Sequence, residues 1–344
     1  MSQFGFAGGD DHGAWLARVV EPVLDPQRAI VDAHHHLWMR EGAPYLFPEL
    51  LADLSTGHRI VATVFAECHS MYRARGPAAL RPVGETEFVA GVAAMSESGT
   101  FGPARACSAI FGAVELGLGA AAEPVLAAHI AAGGGRFRGI RASTCWHAEP
   151  KLHRVVEHEG TLLQPATLEL CAVLQRMGLS LDVWLYHTQL REVMVLADRF
   201  PDLAIILDHF GTPILGGPYR GRTIEVLADW RRDMAELARR PNVSVKLGAL
   251  PIRLGGSNVD RSLPPGSVEV ETAWRPWFEI AVLAFGAARS MFESNFPVHK
   301  NWCSYAVHWN ACKRLASGAS AAEQDDLFSG TAARVYRIDG LDAD

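Results

Sequence analysis

Long apolar runs, blocks of like charge and paired cysteines are all missing from this 344-residue chain. No stretch approaches the ~18 apolar residues of a membrane span, so no contact with a bilayer is expected. No basic block occurs and the formal net charge is −6, which argues against a nucleic-acid partner. The six cysteines (Cys68, Cys107, Cys145, Cys171, Cys303 and Cys312) never form a Cys-x-x-Cys pair. They read as reduced, mostly buried thiols of a cytoplasmic protein rather than as a disulfide framework. Asp10, Asp11 and Glu21 near the start do not suit a secretory signal. No Gly-x-Gly-x-x-Gly follows the first apolar run, and Gly133-Gly-Gly135 precedes a strand instead of following one, which excludes a phosphate loop. There is no clear repeat, no low-complexity segment and no sign of a second domain.

Apolar residues make up 49% of the chain, enough for a large core. Short apolar runs alternate with helical patterns. The runs are 29–36, Arg59–Glu67, Cys107–Val114, Phe137–Ala142, Leu179–Tyr186, Leu203–His209, Val243–Leu247 and Arg289–Ser294. Helices are predicted between them, for example over 165–177, which opens on Pro165 and stops at Gly178. Others are predicted over 189–200, 223–239 and 85–95, the last chosen as helix over strand. Eight β-then-α units fit either a closed barrel or an open doubly wound sheet. Polar residues gather at the C-terminal ends of many different strands, which favours the barrel. The expected architecture is α/β, a single (β/α)8 barrel over 29–338. An extension (1–28) packs on it, and 339–344 form a tail. Long loops over 143–164 and 248–271 are expected above the barrel mouth, where substrate lids sit.

Residues 30–38 read Ile-Val-Asp-Ala-His-His-His-Leu-Trp. Asp32, His34 and His36 fall at every second position, which is a strand period. Alternate residues of a strand share a face, so His34 and His36 are expected side by side as half of a divalent-metal site. His35 then points away, into packing or solvent. The other strand ends add Glu67-Cys-His69, Arg141, Tyr186-His187, Asp208-His209, Lys246 and Glu293-Ser-Asn295. His34, His36 and His187 together would bind a metal and leave a position for water or substrate. His209 suits orienting water or polarising a carbonyl. Arg141 suits a carboxylate or a developing oxyanion, with an ion pair to Glu67 or Asp208 as the plainer alternative. Glu67, His69, Tyr186 and Lys246 complete the candidate substrate contacts, although Lys246 reads first as structural. Arg73, Arg75 and Arg253 read as surface arginines before acidic-substrate contacts. Trp146, Trp274, Trp277 and Trp302 line the mouth or simply pack.

These residues resemble a known family. Asp32-Ala-His34-His-His36-Leu-Trp38 is similar to the opening of the amidohydrolase-related (amidohydrolase 2) family. Gly139-Ile140-Arg141, Asp208-His209-Phe-Gly211, Val245-Lys246-Leu247-Gly248, Met291-Phe-Glu-Ser-Asn295-Phe-Pro297-Val298 and Gly330-Thr-Ala-Ala-Arg334-Val-Tyr336 continue the likeness. It spans roughly residues 28–338. The resemblance implies a (β/α)8 fold and, in the nearest branch, hydrolysis of a lactone of a small sugar acid or carboxylic acid. It implies zinc or manganese on the strand-1 and strand-5 histidines when metal is present, and some lactonase members work without metal. Metal-dependent decarboxylation or hydration of a small aromatic or dicarboxylic acid is the alternative. One departure bears on both. Asn295 stands where the family pattern has an aspartate that binds metal and takes a proton from water, and an amide cannot serve as that base. Asp208, Glu67 or His209 would then take the proton and Asn295 would position water or substrate. A barrel that only binds an acidic small molecule is the third reading.

Overall fold

The computed structural model describes residues 10–250 and 262–341. Eight strands follow in order: β1 (Ile30–His35), β2 (Ile60–Ala66), β3 (Arg105–Gly112), β4 (Phe137–Ser143), β5 (Ser180–Trp184), β6 (Ile205–Leu207), β7 (Val243–Leu247) and β8 (Ser290–Phe292). Each pairs in parallel with the next. The helices are α1 (Asp10–Leu16), α2 (Phe47–Leu54), α3 (Val83–Glu97), α4 (Glu123–Ala132), α5 (Pro165–Arg176), α6 (Leu190–Arg199), α7 (Thr223–Leu237), α8 (Ser267–Phe285), α9 (Tyr305–Leu315), α10 (Ala321–Asp325) and α11 (Thr331–Tyr336). This is a single (β/α)8 barrel. All eight predicted runs are strands, and 85–95 lies in helix α3.

The ring closes just past the end of β8. The Asn295 N–H donates to the His34 carbonyl and the His36 N–H donates to the Phe296 carbonyl, both at 2.8 Å. Inside, Ala33, Ala62 and Ala109 keep the barrel narrow, and Val64, Phe111 and Tyr336 fill it. A larger apolar layer lies between sheet and helices, as expected for strands buried on both faces. Gly139 lets β4 approach β5: a Cβ there would sit 2.1 Å from the Ser180 carbonyl oxygen. Gly248 plays the same part beside Glu293, whose carbonyl oxygen would lie 2.3 Å from an added Cβ.

Before β1, Glu21 accepts from the Ser267 N–H, and the Leu24 N–H donates to Asn310 Oδ1 at 2.9 Å. The segment is thereby tied to α8 and α9. No helix of the described residues is long and apolar enough to cross a membrane.

Strand alternation holds for the two histidines but not for Asp32. A register irregularity between Asp32 and His35 sends the Asp32 carboxylate to the Ser294 N–H and hydroxyl and to the Tyr305 hydroxyl, away from the histidine pair. His35 is fully buried against Thr63 and Phe65, so of its two expected surroundings packing is the one found.

Candidate active site

The chain leaves the sheet abruptly at the strand ends, and there it carries its polar residues. His69, His209, Phe210, Ala249 and Asn295 all have left-handed backbones, with φ between 54° and 61°. Such conformations cost of order 1–3 kcal/mol each outside glycine and gather at functional sites. They turn His209 and Asn295 back over the barrel mouth. Both line a cavity of about 870 Å³ together with His36, Glu67, Arg141 and Trp184.

His34 and His36 stand edge to face, with their Nε2 atoms 3.2 Å apart. Burial holds both imidazoles well below the usual histidine range, helped by Lys246 at His34 and by Arg141 at His36. Both are therefore neutral. His36 Nδ1 lies 2.8 Å from the Ala66 carbonyl oxygen, which can only accept. Nδ1 thus carries the proton and Nε2 presents a lone pair. That lone pair faces Asn295 Oδ1 at 3.0 Å, a second acceptor. Two acceptors at this distance require either that the amide turns its NH2 toward His36 or that a cation lies between them. A tetrahedral zinc site with bonds of ~2.0–2.1 Å has nitrogen–nitrogen edges of about 3.3 Å, close to the histidine spacing. A carbonyl holding the far nitrogen of a ligating histidine is also the usual arrangement. With His34 Nδ1–H directed to Asp208 or Glu293, which leaves its Nε2 lone pair for the ion, the donor set His34, His36 and Asn295 fits a divalent metal, with a neutral amide as its weakest member. One donor atom each of His34, Asp208 and His209 also lies within 4.8 Å of the others.

Charge beneath the histidines is compensated internally. Lys246 Nζ lies between Asp182 and Asp208, 3.1 Å from Asp208 Oδ1 and 3.1 Å from His34 Nδ1. Burial pulls the ammonium down, but Asp182, Asp208 and Glu293 more than offset it and keep it charged. Burial pushes Asp208 up, yet Lys246, His34 and Arg141 hold it well below the usual carboxylate range. Asp208 also accepts from Arg141 Nε at 2.8 Å, and Glu67 Oε1 lies 3.8 Å from the same guanidinium. Arg141 is thus an ion-pair partner and a cavity wall at once, with its side chain over the Trp184 ring.

His209 is held by Glu293. Glu293 Oε1 accepts from the His209 backbone N–H and from ring Nδ1. His209 Nε2 then carries the lone pair and accepts from an Arg141 N–H at 3.4 Å. Glu293 Oε2 makes no hydrogen bond and faces His34 Nδ1 at 3.4 Å. A carboxylate that fixes the tautomer of a cavity-lining imidazole is the arrangement of a general base.

Several expectations are corrected. His187 does not join His34 and His36. β5 ends at Trp184, and His187 opens a short turn where its Nδ1 accepts from the Ile214 N–H at 3.2 Å and its ring packs on Tyr219. Lys246 cannot touch a substrate in the cavity, since it is completely buried under His34. Tyr186 lines the cavity but its hydroxyl is engaged by the His153 carbonyl. Trp274 and Trp277 are core residues, packed on Phe210 and Trp230. Trp302 does line the cavity, and Trp38 and Trp184 line it too. His69 sits at the rim, 3.4 Å from Glu67. The loop after β4 supplies Leu152–Val155 to the cavity and the one after β7 supplies Ala249 and Leu250. Arg73 pairs with Glu87, and Arg253 lies outside the described residues. All six cysteines are free thiols, five of them buried.

Comparison with known proteins agrees with the barrel fold. A family model described as amidohydrolase matches residues 31–338. An uncharacterized protein, y4mH, of Sinorhizobium fredii is 31% identical over 340 residues, covering 90% of this chain and 99% of that protein. An L-fucono-1,5-lactonase of Burkholderia multivorans is 34% identical over 158 residues, 46% of this chain and 51% of the lactonase. Among solved structures, a zinc-bound amidohydrolase from Burkholderia multivorans superposes with a TM-score of 0.66 at 26% identity, covering 90% of this chain and 99% of that one.

Proposed function

The chain belongs to the amidohydrolase family, and from that premise we propose that it hydrolyses a small lactone, with His209 as the base that activates water. The observation that carries this reading is the pair His209–Glu293, which puts the His209 lone pair on Nε2 at the cavity, held in this structure by a long 3.4 Å hydrogen bond from Arg141 that an attacking water would replace. The partial likeness to L-fucono-1,5-lactonases supports the lactone class.

In this reading the lactone carbonyl lies against Arg141, whose fixed charge stabilises the oxygen as it becomes anionic. His209 Nε2 takes a proton from the attacking water. The ring C–O bond then breaks, and the imidazolium returns that proton to the departing alkoxide. The product is the open hydroxy acid, and no proton is gained or lost at the site. Glu293 keeps Nδ1 protonated and stabilises the imidazolium. Asn295 positions water or substrate. Asp208, locked between Lys246 and Arg141, stays ionised and serves to hold the arginine. When a divalent ion, zinc or manganese, is bound by His34, His36 and Asn295, it supplies further polarisation of the carbonyl. The zinc bound by the structural relative supports zinc as the metal.

The cavity volume of about 870 Å³ suits a small molecule. Trp184 and Trp302 line this space, as does Trp38 with Arg40 stacked on its ring, and Arg154 adds positive charge near a substrate carboxylate. The test is a panel of sugar-acid and carboxylated lactones, followed by acid release. Small aromatic and dicarboxylic acids are run alongside for carbon dioxide release. Ring opening supports the proposal. Carbon dioxide release without ring opening replaces it with a decarboxylase.

A further inference from the structure

A second set of metal-type donors lies behind the cavity wall. His299, Cys303 and His308 each offer one donor atom, all within 4.8 Å of one another, and all three residues are buried. They come from the turn after β8 and the start of α9. The Cys303 N–H donates to the His299 carbonyl, and Ser304 caps α9 by accepting from the Val307 N–H. That cap fixes where His308 stands relative to Cys303. The rings of His299 and His308 are 5.5 Å apart, and Trp274 packs on both.

His299 Nε2 is buried with no hydrogen-bond partner, and His308 has the Glu293 backbone as a hydrogen-bonding neighbour. A buried imidazole nitrogen without a partner is costly, and one beside a buried thiol and a second imidazole calls for an explanation. His308 Nε2 lies 3.6 Å from Cys312 Sγ, so a second sulfur is close by. His299 itself lines the cavity, so an ion can arrive from the mouth.

We propose that His299, Cys303 and His308 bind a zinc-class divalent ion, at a site separate from the His34–His36 pair. Two imidazoles and one thiolate are a borderline-soft donor set of the kind that selects zinc over magnesium or calcium. Loading replaces the Cys303 thiol proton, which leaves to solvent. The ion would tie the β8–α9 turn to α9 and so stiffen the wall that carries His299. The proposal does not depend on lactone hydrolysis.

The test uses the full chain, stripped by chelator and reloaded with cobalt(II) alone. A thiolate-to-cobalt charge-transfer band in the near ultraviolet is expected in the unmodified protein and in His36→Ala, and is expected to vanish in Cys303→Ser. Zinc-edge X-ray absorption on the zinc-loaded unmodified protein should show a sulfur neighbour at about 2.3 Å, which keeps the test decisive if Cys303→Ser fails to fold. Absence of both the band and the sulfur neighbour overturns the site, as does a band that survives Cys303→Ser.

Discussion

Glu293 Oε1 receives two hydrogen bonds from His209, the backbone N–H at 3.0 Å and ring Nδ1 at 2.7 Å. The pairing sets both the direction of the ring and its tautomer. It also gives Glu293, fully buried at the end of β8, a definite task in a site whose next polar residue, Asn295, cannot act as a base.

Glu293→Gln should therefore lower kcat by on the order of 10²-fold or more while leaving KM nearly unchanged, because the residue orients the base and does not reach the substrate. Steady-state kinetics on whichever lactone is opened checks this. A raised KM at unchanged kcat would place Glu293 in binding instead.

Asn295→Asp should tighten zinc binding at least about tenfold, a change of about 1.4 kcal/mol, by putting a carboxylate where a neutral amide now faces His36. Competition with a chelating dye measures it. Equal affinities in the two proteins would show that Asn295 does not touch the ion.

Lys246→Met should destabilise the fold by about 3–5 kcal/mol. It removes the cation between Asp182 and Asp208 and leaves buried carboxylates unpaired. Chemical denaturation reads the loss directly, and an unchanged midpoint would mean that those carboxylates are answered by other groups.

Stability should fall on acidification. Burial drags His35, His58, His129 and His187 down to about 4 and His299 to about 3, from an ordinary 6.5. Below pH 6.5 the unfolded chain protonates these groups first, so stability present above 6.5 is lost progressively until the folded values are reached, at about 1.4 kcal/mol per unit of displacement. Burial raises Asp32 to about 6, Asp182 to about 7 and Glu85 to about 8, and these three favour the fold as the pH drops. The buried histidines outnumber them. The melting temperature should decline from pH 6.5 to 4, and a flat or rising curve would contradict this.

The barrel was legible because each strand is an apolar run buried on both faces, bounded by a helix with a readable start or stop. Pro165 and Gly178 bracket such a helix, and the structure places α5 over Pro165–Arg176. His34, His36, Arg141, His209 and Asn295 were legible as strand-end polar residues, and they meet at one cavity or directly below it. What failed was reading geometry past the strand end. His187 follows β5 by only a few residues, but the turn it opens carries its ring to Ile214 and Tyr219, a long-range packing choice that no local pattern encodes. Lys246 lies on a strand face that points inward, and its depth depends on Asp182 and Asp208 from two other strands. Glu293 stands two residues before Asn295 and so shares its strand period, one layer deeper. That placement follows from residue spacing, but the bond to His209 needed the left-handed backbone at residue 209.

The most direct test of the central claim compares lactone opening by the unmodified protein and by His209→Ala, each assayed metal-free and zinc-loaded. Ring opening by the unmodified protein, reduced on the order of 10²-fold or more in His209→Ala under both conditions, is the predicted result. Full activity in His209→Ala, or no lactone opened under either condition, would contradict it.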